Sequence, residues 1–241
     1  LTWVSASVLL FLSIIPIRLY FLKNYSTIHE KWLLKNDRDI ISPKNNTIKN
    51  FTRIDVLLDI KFYFIIFSIL SPAYIMTGLF FHQIHLFDSK GWSLNLLAGT
   101  FAIYALITVS SSLLVGKLID IFGSKKLIII HLIPLGLGLF ILSIFSSPIT
   151  ALVYLGLAGI TVGMANSLLS SLWAEIYGTK HIGAIKSLVT ASMVFASALS
   201  PFMFGFAIDN GTSIEIIILF CSLYILLSVS ILFYIFNKSI K

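Results

Sequence analysis

The chain has 241 residues, 58% of them hydrophobic and 11% charged, and its mean hydropathy is +0.98. Lys and Arg number 17 against 10 Asp and Glu, for a net charge of +7. These cations sit between long apolar runs rather than on a folded soluble basic domain, which excludes a nucleic-acid-binding reading. The single cysteine, Cys221, lies inside an apolar run and excludes an internal disulfide.

A hydrocarbon core about 30 Å thick needs roughly 20 apolar helical residues to cross it. Seven stretches reach that length: 1–22, 62–84, 95–115, 127–145, 149–172, 187–208 and 214–236. The first begins Leu-Thr-Trp, already inside its apolar run. It lacks the basic start and small-residue cleavage site of a signal peptide, and it ends at Arg18 and Lys23. It reads as a whole or truncated span, with the chain as the C-terminal part of something longer. Residues 23–61 form the one long hydrophilic segment, a linker with a short surface helix around 28–34. Within it, Thr52-x-x-Asp55 has the form of a capping box ahead of Val56, Leu57 and Leu58 and predicts a helix start. The other connections are short, so neighbouring spans are expected to run antiparallel.

The spans differ in polar content. In the second, Tyr74, Gly78, His82 and His85 share an arc at helical spacing, with Gln83 beside them. In the fifth, Gly159, Gly163, Asn166, Ser170 and Trp173 fall on one face. In the sixth, Ser187, Ala191, Ala198 and Gly205 do so, next to Pro201. Small residues in such stripes let helices approach closely. Polar groups at membrane depth instead face a cavity or a partner. Tyr74, His82, Gln83, Asn166 and Ser170 are therefore the candidate lining of a substrate path, and His82 can carry a proton near neutral pH. The seventh span is Ile, Leu, Phe and Val nearly all round.

The loops sort by charge. Arg18, Lys23, Lys31, Lys35, Arg38, Lys44, Lys49, Arg53 and Lys61 separate the first and second spans. Lys117, Lys125 and Lys126 separate the third and fourth, Lys180 and Lys186 the fifth and sixth, and Lys238 and Lys241 follow the seventh. Only Lys90 falls in an opposite loop. Positive charge stays cytoplasmic, so the N-terminus is expected outside and the C-terminus inside, in a bacterial inner membrane.

The loop between the third and fourth spans reads Gly116-Lys-Leu-Ile-Asp120-Ile-Phe-Gly123-Ser-Lys125-Lys126. Asp120 can meet a neighbouring helix N-terminus or a cation, and Gly123 permits a tight turn. Gly116, Asp120, Gly123, Lys125 and Lys126 resemble the G-x-x-x-D-[RK]-x-G-x-[RK]-[RK] loop of the major facilitator superfamily; Ile121 departs from it. Two further stretches resemble its monocarboxylate-transporter-like and oxalate/formate-antiporter-like group. One runs from Thr77 through His82, Gln83 and His85 to Lys90, Gly91 and Trp92. The other runs from Trp173 and Glu175 through Gly178, Lys180 and Gly183 to Lys186.

The resemblance implies a twelve-helix transporter in two six-helix halves. Residues 1–22 would be the last helix of the N-terminal half, 23–61 the cytoplasmic central loop and 62–241 the C-terminal six-helix bundle. It implies alternating access around a midplane site. The second, third, fifth and sixth spans would line the cavity, with the first, fourth and seventh outside. The implied partners are the lipid bilayer, the N-terminal half and a small solute such as a monocarboxylate, with a coupled proton as an option. Asp120, Lys125, Lys126, Glu175 and Lys180 are expected to cluster with Gly116 and Gly123 as a cytoplasmic gate. Lys186 sits at the cytoplasmic edge of the sixth span, a position that weighs against a dicarboxylate.

Two other classes fit part of the pattern. Seven spans with an outside N-terminus suit a receptor, and His82 and His85 could share a metal in a membrane enzyme. No H-E-x-x-H, G-x-S-x-G or paired intramembrane Asp occurs, and no third ligand is near the two histidines in sequence. The sequence thus reads as an all-α integral membrane transporter of seven spans, with no cofactor or metal.

Overall fold

The computed structural model describes residues 50–237, together with Val8, Phe11, Leu12, Ile15 and Pro16, which are helical. The chain divides into two units, Leu1–Thr47 and Ile48–Lys241, and the elements below belong to the second. Apart from those five positions, the expected 1–22 span lies outside the described residues, as does the expected 28–34 helix. In order the elements are α1 (Arg53–Leu58), α2 (Ile60–Phe81), α3 (Gln83–Ser89), α4 (Leu94–Phe122) and α5 (Ser124–Ile130). They continue with α6 (Ile133–Ile144), α7 (Ile149–Tyr177), α8 (Ile182–Asp209) and α9 (Ile214–Asn237). Among the described residues no strand occurs, and 6 stretches are long and apolar enough to cross a membrane, with Ser124–Ile144 counted as one.

Each helix starts and stops for a local reason. Thr52 and Asp55 form the expected capping box on α1: the Thr52 N–H donates to Asp55 Oδ2 at 2.8 Å, and the Asp55 N–H donates back to Thr52 Oγ1 at 3.4 Å. Asp59 caps α2 by accepting from the Lys61 N–H at 3.0 Å. Pro72 lies inside α2 and cannot donate to the Ser68 carbonyl. The Ser71 hydroxyl donates to that carbonyl instead, at 2.7 Å. In hydrocarbon a freed backbone group needs such a substitute.

The fourth span solves the same problem across helices. It breaks at His131 and Leu132, just before Pro134. The buried Thr161 hydroxyl of α7 enters the break. It accepts from the Leu135 N–H at 3.2 Å and donates to the His131 carbonyl at 2.8 Å. The interrupted ladder is therefore satisfied by a neighbouring helix.

Several expected boundaries need correction. The second span does not run unbroken to 84; α2 stops at Phe81, and His82 is the hinge to α3. Residues 116–126 are not a loop. α4 continues to Phe122 because nothing interrupts it before Gly123, whose φ of 78° permits the turn straight into α5. Residues 173–186 are likewise mostly helix. α7 runs on to Tyr177 and α8 starts at Ile182, with Gly178 (φ 81°) opening the short turn between them. The charged residues in these stretches extend the helices beyond their apolar cores.

Two close approaches fix the packing. A Cβ on Gly163 would press on Ser111 Cβ at 2.8 Å and on the Thr108 carbonyl, so glycine lets α7 lie against α4. A Cβ on Gly78 would meet Phe204 at 2.7 Å, and its absence seats α8 against α2. The Ser200 hydroxyl there donates to the Tyr74 carbonyl at 2.5 Å. α9 packs through its serines: Ser222 donates to the Gly136 carbonyl at 3.2 Å, and Ser68 of α2 donates to the Ser228 carbonyl at 3.2 Å. Its opposite face, with Phe220, Leu223, Leu226 and Phe233, is exposed and largely apolar. Coverage is uneven. The most apolar window of α4 is 6% buried and that of α8 17%, against 50% for α2 and 56% for α7. α4 and α8 therefore turn long apolar faces away from the bundle.

Candidate substrate site

Two ends of the bundle can be told apart. At one, Lys125 of α5 pairs with Glu175 of α7 at 3.1 Å, and the Ser124 hydroxyl donates to the same carboxylate. The Phe51 N–H donates to the Tyr177 carbonyl at 3.0 Å, the Lys180 N–H to Asn50 Oδ1 at 3.3 Å, and the Tyr177 hydroxyl to Asp59 Oδ2 at 3.0 Å. The end of the linker, the α4–α5 turn and the α7–α8 turn thus meet at this Lys-rich end. Of the expected charge cluster, Lys125 and Glu175 join. Among the described residues, no ion pair involves Asp120, Lys126 or Lys180. Gly116 and Gly123 have nothing near a built Cβ, so Gly123 serves the turn and Gly116 has open space beside it.

At the other end, Lys90 is the cation. Its side chain is 2% exposed, lies 3.5 Å from Glu215 of α9 and donates to the Phe145 carbonyl at 3.4 Å. Beside it Trp92 Nε1–H donates to the Ser146 carbonyl at 2.7 Å.

The candidate path residues fall in separate places. Asn166 and Ser170 line a cavity of about 300 Å³ between α7 and α8, with Trp173, Lys186, Thr190 and Met193. Tyr74 lines a different groove, of about 360 Å³, with Phe204 and Cys221. Gln83 lines a small space of about 20 Å³, room for roughly one water, and its Oε1 is buried without a partner. His82 sits at the α2–α3 hinge. Its Nδ1 lies 2.9 Å from the Gly78 carbonyl, its ring stacks on Phe204 at 6.0 Å, and its Nε2 is near Gly205. His85 is exposed on α3. Among the described residues no group of three His, Cys, Asp or Glu could hold a metal ion.

The cavity between α7 and α8 is chemically one-sided. Lys186 Nζ donates to Ser170 Oγ at 2.9 Å, and the Ser170 hydroxyl donates to the Asn166 backbone carbonyl at 2.8 Å. No carboxylate lines the cavity, and none pairs with Lys186 among the described residues. Trp173 is 1% exposed, and its Nε1–H has no partner. Phe62 and Tyr177 hold that indole by ring contacts at 5.8 Å each. The Lys186 cation, the Asn166 amide and a second hydroxyl, that of Thr190, thus line one volume, with the buried Trp173 indole in its wall. Asn166, Lys186 and Thr190 are exposed and only the Trp173 N–H is buried; a carboxylate or similar anion would pair the Lys186 ammonium.

Lys186 is the residue whose place in the cavity the sequence alone does not show. With the helix starting at 187, Lys186 reads as loop. With the helix starting at Ile182 it lies in the second turn, facing Ser170 sixteen residues back. Its contact with the α7 stripe is the signal that helical spacing carried for Asn166, Ser170 and Trp173.

Residues 62–240 match the sequence profile of the Major Facilitator Superfamily. The chain belongs to that superfamily. It is an integral membrane protein and a membrane transporter, as members of that family are. No curated protein matches the chain closely enough to count as a relative.

Proposed function

We propose that the protein carries a small organic anion, of the monocarboxylate class, by alternating access around the cavity between α7 and α8. The observation that supports this most is the donor set there, Lys186, Thr190 and Asn166, beside the buried Trp173 indole and with no carboxylate among the lining residues. One cation suits one carboxylate group; a dicarboxylate would need a second. The Lys-rich end is cytoplasmic in this reading, by the charge rule.

The uncovered faces of α4 and α8, where Leu106, Leu113, Phe195 and Phe202 are each more than two-thirds exposed, receive the second wall of the cavity from an N-terminal six-helix half. The Lys125–Glu175 pair biases which state is open, with Asp120, Lys126 and Lys180 taking partners in the other state. Exposed pairs of this kind contribute roughly 0–1 kcal/mol, which suits a switch better than a clamp. His82 is the candidate proton carrier, since its Nε2 is not engaged by the backbone contact that holds Nδ1.

Uptake into proteoliposomes of labelled monocarboxylates, dicarboxylates and neutral sugars tests the reading. The expected result is saturable monocarboxylate uptake that Lys186→Gln reduces at least tenfold. Saturable uptake of a neutral sugar, unaffected by Lys186→Gln, would overturn it. A pH series with His82→Gln tests coupling; curves identical to wild type would remove His82 from the path.

A further inference from the structure

We propose that the groove between the start of α2 and the end of α9 is a binding site for an anionic phospholipid of the leaflet at the Lys-rich end. The groove has a volume of about 650 Å³ and is lined by Ile60, Lys61, Phe64, Ser230, Ile231, Tyr234 and Ile235. Its floor is apolar and its rim is polar. Lys61 is the second residue of α2, and Tyr234 lies three residues from the end of α9, so both stand where helices leave the hydrocarbon. Phe64, one turn deeper on α2, and Ile231, one turn deeper on α9, continue the groove inward. A headgroup at the rim and an acyl chain along the floor match this division.

The charge at the rim is uncommitted. Lys61 is exposed, and among the described residues its ammonium makes no ion pair. The nearest acidic residue in sequence, Asp59, spends one oxygen on the Lys61 backbone N–H and the other on the Tyr177 hydroxyl. No acidic side chain lines the groove. Tyr234 is 77% exposed, and its hydroxyl has no protein partner among the described residues. Cation and phenol hydroxyl can both donate to a phosphate. The sequence adds Lys238 and Lys241 directly beyond α9. On the proposed orientation this is the cytoplasmic leaflet, whose anionic lipids attract basic residues.

The test is lipid retention. The purified protein is released from vesicles of equal parts phosphatidylglycerol and phosphatidylcholine, and bound lipid is counted by native mass spectrometry. Wild type should retain phosphatidylglycerol preferentially. Lys61→Gln should cut that retention about fivefold, while Lys117→Gln, which removes an exposed cation away from the groove, should leave it unchanged. Ser230→Trp keeps every charge but fills the groove, and should reduce retention of both lipids. It decides the matter alone if Lys61→Gln fails to fold. The proposal is overturned by undiminished phosphatidylglycerol retention in Lys61→Gln or in Ser230→Trp. It is also overturned by an equal loss in Lys117→Gln, which would show general attraction to a basic surface.

Discussion

The two ends of the bundle each place one lysine beside one tryptophan, and they use them in opposite ways. Lys90 is 2% exposed in its side chain and is answered by Glu215 and the Phe145 carbonyl; Trp92 Nε1–H is answered by the Ser146 carbonyl. These contacts tie the α3–α4 connection to the α6–α7 turn and to α9, and they give both the cation and the indole N–H a protein acceptor. Lys186 has a single hydroxyl for a partner, and Trp173 Nε1–H has none although it is buried. The same residue types therefore make a clasp at one end and an open donor set at the other. Whether the fold supplies the acceptor separates a structural cation from a ligand-binding one.

The largest effect should come from breaking the clasp. Lys90→Met leaves Glu215 facing a buried apolar side chain. Because that carboxylate is a third exposed, the loss should be about 2 kcal/mol, below the range for a fully buried pair. Denaturant unfolding in detergent reads it, and an unchanged midpoint would remove the contrast. Trp92→Phe should cost less, about 1 kcal/mol, for one hydrogen bond to a carbonyl that water can reach. At the other end Trp173→Phe should hardly move stability. The cavity it leaves and the unpaired N–H it removes are each worth about 1 kcal/mol with opposite sign. Its affinity for a monocarboxylate should nevertheless fall roughly fivefold. A stability loss as large as that of Trp92→Phe, with affinity unchanged, would make Trp173 a packing residue only.

Much of the fold is legible in the sequence because hydrocarbon imposes a length and a polarity on each crossing. The six spans after residue 61, the capping box of Thr52 and Asp55 and the common end of residues 50–61, 123–126 and 175–181 all follow from apolar runs and charge placement. The helix ends do not, since hydropathy marks where lipid stops rather than where the backbone turns. Gly91, Gly123, Gly178 and Gly211, all at positive φ, carry that second signal. The break at His131 depends on Thr161 of another helix, which no local pattern displays. The site was half legible. Helical spacing put Asn166, Ser170 and Trp173 on one face, but the reach of Lys186 depends on where α8 begins. Tyr74 and His82 share an arc on paper with Gln83 beside them, yet the three have separate surroundings.

The most direct test of the contrast is titration of a monocarboxylate panel against wild type and Lys186→Gln, read by tryptophan fluorescence, with the melting temperature of each protein. Lys186→Gln should bind at least tenfold more weakly, because a charge-assisted contact is lost. Its melting temperature should stay within about 2 °C of wild type, because its one protein partner, the Ser170 hydroxyl, keeps its own bond to the Asn166 carbonyl. Binding equal to wild type, or weaker binding accompanied by a melting loss as large as that of Lys90→Met, would contradict the account.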